Sequence, residues 1–119
     1  MTLLMMLLLI VNFGKVDDHV YRSAQIKPAE IQELKDLGIE VVINLRKDPE
    51  KWEKDAVEAA GMRYYNFPMS TTKRPDLGQI NQIIALMQQE KGKILVHCAG
   101  GRHRTGVVIA VWRILQYGW

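Results

Sequence analysis

The chain has 119 residues, with 16 Lys and Arg against 13 Asp and Glu for a net charge of +3, and 48% apolar against 24% charged residues. That length suits one domain without room for a second core, and the composition excludes a disordered polymer. The single cysteine excludes an intramolecular disulfide and any multi-cysteine metal site, which leaves it burial or chemistry.

In chain order, residues 3–11 come first, an uninterrupted apolar run of nine. A bilayer-spanning helix needs about 20 such residues. A secretory signal would carry positive charge before the run and a small-residue cleavage site after it, and neither is present. Residues 1–11 are therefore expected to form a segment apart, buried or covered by a partner. Contact with a membrane through residues 3–11 is the other reading, and a cytoplasmic location is favoured over export or anchoring. Residues 12–119 are expected to form the domain. The chain stops at Trp119 directly after a helical pattern, so a natural parent is expected to continue.

Residues 13–23 read as short strands around a turn at Asp17 and Asp18, with Val16, Val20 and Tyr21 at β-favouring positions. Pro28 opens a helix where its missing N–H costs nothing, Ile31, Leu34 and Leu37 recur along it, and Gly38 stops it. Residues 39–45 form a dense β-branched run suited to a strand covered on both faces. Residues 49–60 predict a helix with Trp52, Ala56 and Ala59 on its inner side. Residues 62–69, with Tyr64, Tyr65 and Phe67, predict another strand, and residues 70–75 a polar loop. Asp76 is a good N-cap for a helix striped by Ile80, Ile83, Ile84 and Met87. A short buried strand over 94–97 precedes a last helix from Thr105, with Val107, Val108, Val111, Ile114 and Leu115 as its apolar positions. This alternation predicts an α/β fold: a single domain with a mostly parallel central sheet flanked by helices.

The charge is uneven. Residues 1–90 balance to −2, whereas residues 91–119 carry Lys91, Lys93, Arg102, Arg104 and Arg113 with no acid, a balance of +5. The excess surrounds residues 94–106, where a buried strand ends at Cys98, a glycine-containing turn follows and a helix begins. A loop entering a helix presents unpaired backbone N–H groups and the positive end of the helix dipole. Gly100 and Gly101 let those groups converge on one point. Arg104 adds a planar fork that can hold two phosphate oxygens. A free cysteine, with a pKa of about 8.5, is only about 3% thiolate at neutral pH. Ionising it fully takes a downward shift of about three units, roughly 4 kcal/mol of differential stabilisation. Several amides, a helix N-terminus and an arginine are the groups that supply it. The segment therefore describes an anion cradle built around a nucleophile.

The sequence from His97-Cys98 through five residues to Arg104-Thr105-Gly106 is similar to the phosphate-binding loop of the cysteine-dependent protein tyrosine phosphatase superfamily. Its interior most resembles the compact atypical dual-specificity phosphatases of bacteria, plants and fungi. Residues 20–25, Gly38 and residues 42–46 resemble the N-terminal half of the same small bacterial enzymes. The resemblance implies a phosphatase fold with the loop between the last strand and the following helix. It implies Cys98 as the nucleophile that forms a cysteinyl-phosphate, and Arg104 as the ligand of the phosphoryl oxygens. Thr105 would offer its hydroxyl to the thiolate, and the amides of Ala99, Gly100, Gly101, Arg102, His103 and Arg104 would complete the cradle. His97 would order the cysteine's backbone. No cofactor is implied and no metal, since three histidines and one cysteine give zinc little support.

Family members commonly protonate the leaving oxygen with an aspartate on a loop before the penultimate helix. Here the corresponding stretch offers Ser70, Thr71 and Thr72, with Asp76 as its only carboxylate. Asp76 is a helix cap as readily as an acid, and Asp48 is a more distant second candidate. Arg102, His103, Lys73 and Arg74 would make the pocket basic, which suits multiply phosphorylated substrates such as inositol pyrophosphates, with phosphate monoesters of a protein, on tyrosine, serine or threonine, as the other substrate class. A phospho-ligand binding module with little turnover and a rhodanese-type sulfurtransferase are the alternatives. A nucleic-acid partner is not expected, because the basic cluster lacks interleaved aromatics, and the chain is expected to be a monomer.

Overall fold

The computed structural model describes residues 9–119. The first part of the apolar run, residues 3–8, lies outside them. Of the remainder, Ile10 is buried, while Leu9 and Val11 are exposed.

Five strands form one sheet in the order β1-β2-β5-β3-β4, where β1 is Gly14–Lys15, β2 Val20–Ser23, β3 Ile39–Asn44, β4 Arg63–Asn66 and β5 Lys93–His97. The β1–β2 pair is antiparallel and every other pairing is parallel. The expected α/β architecture is therefore the observed one. β5 lies between β2 and β3, so both its edges are paired, and its residues 94–96 are apolar and fully buried. Alternation along the strands divides the core. Val20, Val41, Ile43, Ile94 and Val96 face one side, and Tyr21, Val42 and Leu95 face the other.

Helices α3 (Leu77–Gln89) and α4 (His103–Tyr117) cover the first face, the former with the expected stripe of Ile80, Ile83, Ile84 and Met87. Helices α1 (Ile31–Leu37) and α2 (Glu53–Ala59) cover the second. Pro28 does open a helical segment, but its first turn is a 3-10 turn over Pro28–Glu30. Gly38 ends α1 at φ 97°, a left-handed conformation that costs glycine little.

Three expectations need correction. Helix α2 starts only at Glu53, and its buried residues are Glu53 and Val57, while Ala59 is exposed. The strand expected over 62–69 closes at Asn66, although Phe67 and Met69 still donate their N–H groups to the carbonyls of Asn44 and Leu45. Helix α4 begins two residues early and buries Thr105, Val108, Ile109 and Trp112, leaving Ile114 and Leu115 exposed. The run of β-branched residues concealed which stripe faces inward. The indole of Trp112 identifies it, since its Nε1–H reaches the Asp17 carboxylate at 2.8 Å.

Candidate active site

The carboxyl ends of β2, β3 and β5 meet at one edge of the sheet, and the loop after β5 turns there into α4. In an open parallel sheet this edge is where ligands are bound. Cys98 follows β5 directly and is buried at 2% exposure. Gly101 donates its N–H to the sulfur at 3.2 Å. At φ +73° Gly101 is left-handed, and a Cβ there would meet the backbone of Ser23 and Ala24 at 2.6–2.8 Å. Glycine is thus required twice over, by conformation and by space.

Burial pushes the Cys98 thiol up, but the Thr105 hydroxyl, the Thr105 and Gly101 N–H groups and the Arg104 charge outweigh it and hold the thiol below its ordinary value. Gly101 N–H to sulfur is the well-formed hydrogen bond of this set. Thr105 Oγ1 is buried, and no other group among the described residues takes its hydroxyl, which leaves it to the sulfur.

A cavity of about 150 Å³ opens on this loop, lined by Thr71, Cys98, Gly100, Arg102, His103 and Arg104. A second of about 120 Å³ shares Thr71, His103 and Arg104 with it and reaches Ser70 and Lys73. Arg104 is half-buried, and among the described residues no carboxylate pairs with it. Its fork is free for an anion.

Of the expected site residues, the fold therefore brings Cys98, Gly100, Arg102, His103 and Arg104 to one cavity, with Gly101 and Thr105 beside the sulfur. Ala99 is exposed, and its carbonyl accepts the Gln25 N–H at 3.0 Å. Asp76 stands apart. Its Oδ1 accepts the Gln79 N–H at 3.2 Å, capping α3, and it lines a larger cleft of about 510 Å³ together with Pro68, Lys73 and Arg74. That cleft contains no residue of the loop after β5. Asp48 is exposed and lies 3.8 Å from Arg46.

Beyond His97, expected to order the cysteine's backbone, sequence reasoning missed the polar layer beneath the loop. Glu53 and His97 are both fully buried, with Glu53 Oε2 2.6 Å from His97 Nε2. Gln25 Nε2 donates to Glu53 Oε1 at 2.6 Å, and Asn44 Nδ2 donates to Glu53 Oε2 at 3.4 Å. The other imidazole nitrogen, Nδ1, lies 3.2 Å from the Cys98 carbonyl. Arg46 Nη1 extends the layer by donating to Gln25 Oε1 at 3.0 Å. The available signal was Glu53 itself, one turn before Val57 on the inward stripe of α2.

A family model described as the tyrosine phosphatase family matches residues 7–119. Inositol diphosphatase DSP3 of Arabidopsis thaliana is 30% identical over 111 residues, covering 88% of this chain and 55% of its own length. Dual specificity protein phosphatase TpbA of Pseudomonas aeruginosa is 27% identical over 92% of this chain and 49% of its own. The chain thus spans about half the length of these curated relatives. Among solved structures, the core catalytic domain of the PP-IP phosphatase SIW14 from S. cerevisiae, in complex with citrate, superposes with a TM-score of 0.82 at 25% identity, covering 91% of this chain and 68% of that one. A Cys-to-Ser variant of P. aeruginosa TpbA in complex with pTyr does so with a TM-score of 0.79 at 25% identity, covering 92% and 66%.

Proposed function

The chain belongs to the tyrosine phosphatase family, and from that premise we propose that it hydrolyses phosphate monoesters through a cysteinyl-phosphate formed on Cys98. The observation that carries this reading is a buried cysteine whose thiol is held low, in one cavity with Arg104, which pairs with no carboxylate among the described residues. The Cys98 thiolate attacks phosphorus, a P–S bond forms, and the bond to the leaving oxygen breaks. Arg104 and the loop amides take up the charge on the three phosphoryl oxygens. Water then attacks the same phosphorus, releasing inorganic phosphate and returning the thiolate. Thr105, buried beside the sulfur with its hydroxyl taken by no other group among the described residues, stabilises the thiolate as it leaves.

The substrate we propose is a multiply phosphorylated small molecule of the inositol pyrophosphate type, whose terminal phosphoanhydride the same two steps cleave as they would a monoester. Arg102, His103 and Lys73 line the two cavities at the loop, and neither cavity is lined by a carboxylate. A phosphoanhydride has a better leaving group than a phosphate ester and depends less on an acid. Relatives named as inositol diphosphatases support the same choice. A phosphotyrosine protein is the second reading, favoured by the likeness to TpbA with pTyr. Hydrolysis of para-nitrophenyl phosphate tests the reaction, and a panel of inositol pyrophosphates against phosphotyrosine peptides tests the substrate. Cys98→Ser is expected to lower the rate about 10⁴-fold or more with the fold intact. Activity retained in that variant would overturn the mechanism. Binding of phosphate without turnover in the parent would leave a binding module.

A further inference from the structure

The loop is held from behind, carbonyl by carbonyl. Gln25 N–H donates to the Ala99 carbonyl at 3.0 Å, Asn12 Nδ2 to the Gly100 carbonyl at 2.7 Å, and Arg22 Nη2 to the Gly101 carbonyl at 2.7 Å. All peptide bonds here are trans, so in each plane the C=O and the following N–H point in opposite directions. Tying three successive carbonyls to the β2 side turns the N–H groups of Gly100, Gly101 and Arg102 away from it. The middle plane shows the consequence directly. Its carbonyl is held by Asn12, and its N–H is the one that meets Cys98 Sγ at 3.2 Å.

We propose that Asn12 and Arg22 are positioning residues of the phosphate loop, acting through two rigid peptide planes on the amides of Gly101 and Arg102. The inference rests on the reading of this loop as a phosphate cradle. It assigns work to two residues whose hydrogen bonds to the loop end on its carbonyls and not on the sulfur. Asn12 is itself held for the purpose. It is the one non-glycine among the described residues with positive φ, 54°, a conformation asparagine tolerates better than most. Its neighbour Val11 accepts the Ala24 N–H at 2.9 Å, which pins the segment to the end of β2. Arg22 sits on β2 itself and is half-buried, so its fork approaches the loop from a rigid strand.

The test titrates the thiol of the full chain without relying on turnover. The rate of Cys98 alkylation by iodoacetamide is followed against pH, and protection by inorganic phosphate is measured in parallel. Asn12→Gly removes the donor, keeps the left-handed backbone accessible and changes no charge. It is expected to raise the alkylation midpoint by about half a unit to one unit. Arg22→Met keeps most of the stem and is expected to weaken phosphate protection about tenfold, with partial recovery in Arg22→Lys. A merely structural role would lower Tm and leave midpoint and protection where they were. That result in both Asn12→Gly and Arg22→Met, in a parent that hydrolyses para-nitrophenyl phosphate, overturns the positioning role alone. A parent whose Cys98 titrates as an ordinary thiol and gains no protection from phosphate overturns this inference and the phosphatase reading together.

Discussion

The two loops that face each other across the site are built in opposite ways. The loop after β5 is anchored from below and behind: Glu53 and His97 meet at 2.6 Å under it, and Asn12 and Arg22 hold its carbonyls. The loop of residues 70–76 is bonded mostly to itself, through Ser70 Oγ to Thr72 and Lys73, and residues 71–76 are all exposed. Stabilising charge on phosphorus needs donors fixed before the substrate arrives, because reorganisation during reaction forfeits their advantage. Delivering a proton needs only one group within reach at one moment. The molecule concentrates its anchoring bonds on the side of Cys98, and the opposite wall supplies hydroxyls and positive charge.

The sharpest way to break that comparison is at Arg104. Arg104→Lys keeps the charge and loses the planar fork, and kcat/KM on para-nitrophenyl phosphate is expected to fall about 10²–10³-fold. A loss below about threefold would mean that the backbone amides alone form the cradle. Next comes the layer beneath. Glu53→Ala leaves a fully buried His97 without its carboxylate and is expected to cost about 3 kcal/mol or more in urea unfolding. An equal cost from truncating any residue of the exposed 70–76 loop would erase the contrast between the two sides.

Smaller in size but direct in sign is the pH dependence. Burial raises the Cys98 thiol, and the Thr105 hydroxyl leads the groups that bring it below its ordinary value. In the proposed reaction the thiolate is the reacting form, so kcat/KM is expected to rise with pH through the folded thiol's value, which lies below that of a free cysteine. Thr105→Val is expected to move this limb to higher pH. The linked stability has the same origin. A depressed thiol contributes stability that is fully present above its unfolded value and is lost as pH falls through its folded value. Thr105→Val therefore narrows the pH window in which that stability is lost. A limb unmoved in kcat/KM would leave the Gly101 amide and Arg104 as the groups that set the thiol.

The sequence displayed the parts of this site that are contiguous and concealed those assembled through space. The loop over 94–106 was legible because strand, cysteine, glycines and arginine fall within one segment and each has a local reason to be there. Helix α3 was legible from Asp76 and its isoleucine stripe. Residues 20–25 and 42–46 stood out only by resemblance, and the structure supplies the physics: Arg22, Gln25, Asn44 and Arg46 are the polar scaffold under the loop. Periodicity finds apolar faces, so it gave no notice of Glu53, a buried acid on the inward stripe of α2. Asn12 lies 88 residues from its partner Gly100, a separation no local pattern encodes.

The smallest effect decides what the opposing loop does. Asp76 caps α3, and losing the cap in Asp76→Ala is expected to cost about 1 kcal/mol of stability. Asp76→Asn keeps a capping oxygen and removes the ionisable proton, so it separates the two roles that Ala confuses. Asp76 lines the larger cleft and not the Cys98 cavity. The expectation is therefore that Asp76→Asn leaves kcat and its pH profile unchanged, on an activated aryl phosphate and on an alkyl phosphate with a poor leaving group alike. If the alkyl phosphate alone slows, and its alkaline limb disappears, then the 70–76 loop swings Asp76 over the phosphoryl group during catalysis. The side that looks unbuilt would then be the mobile half of an acid–base pair, and the contrast between the loops would become one of timing.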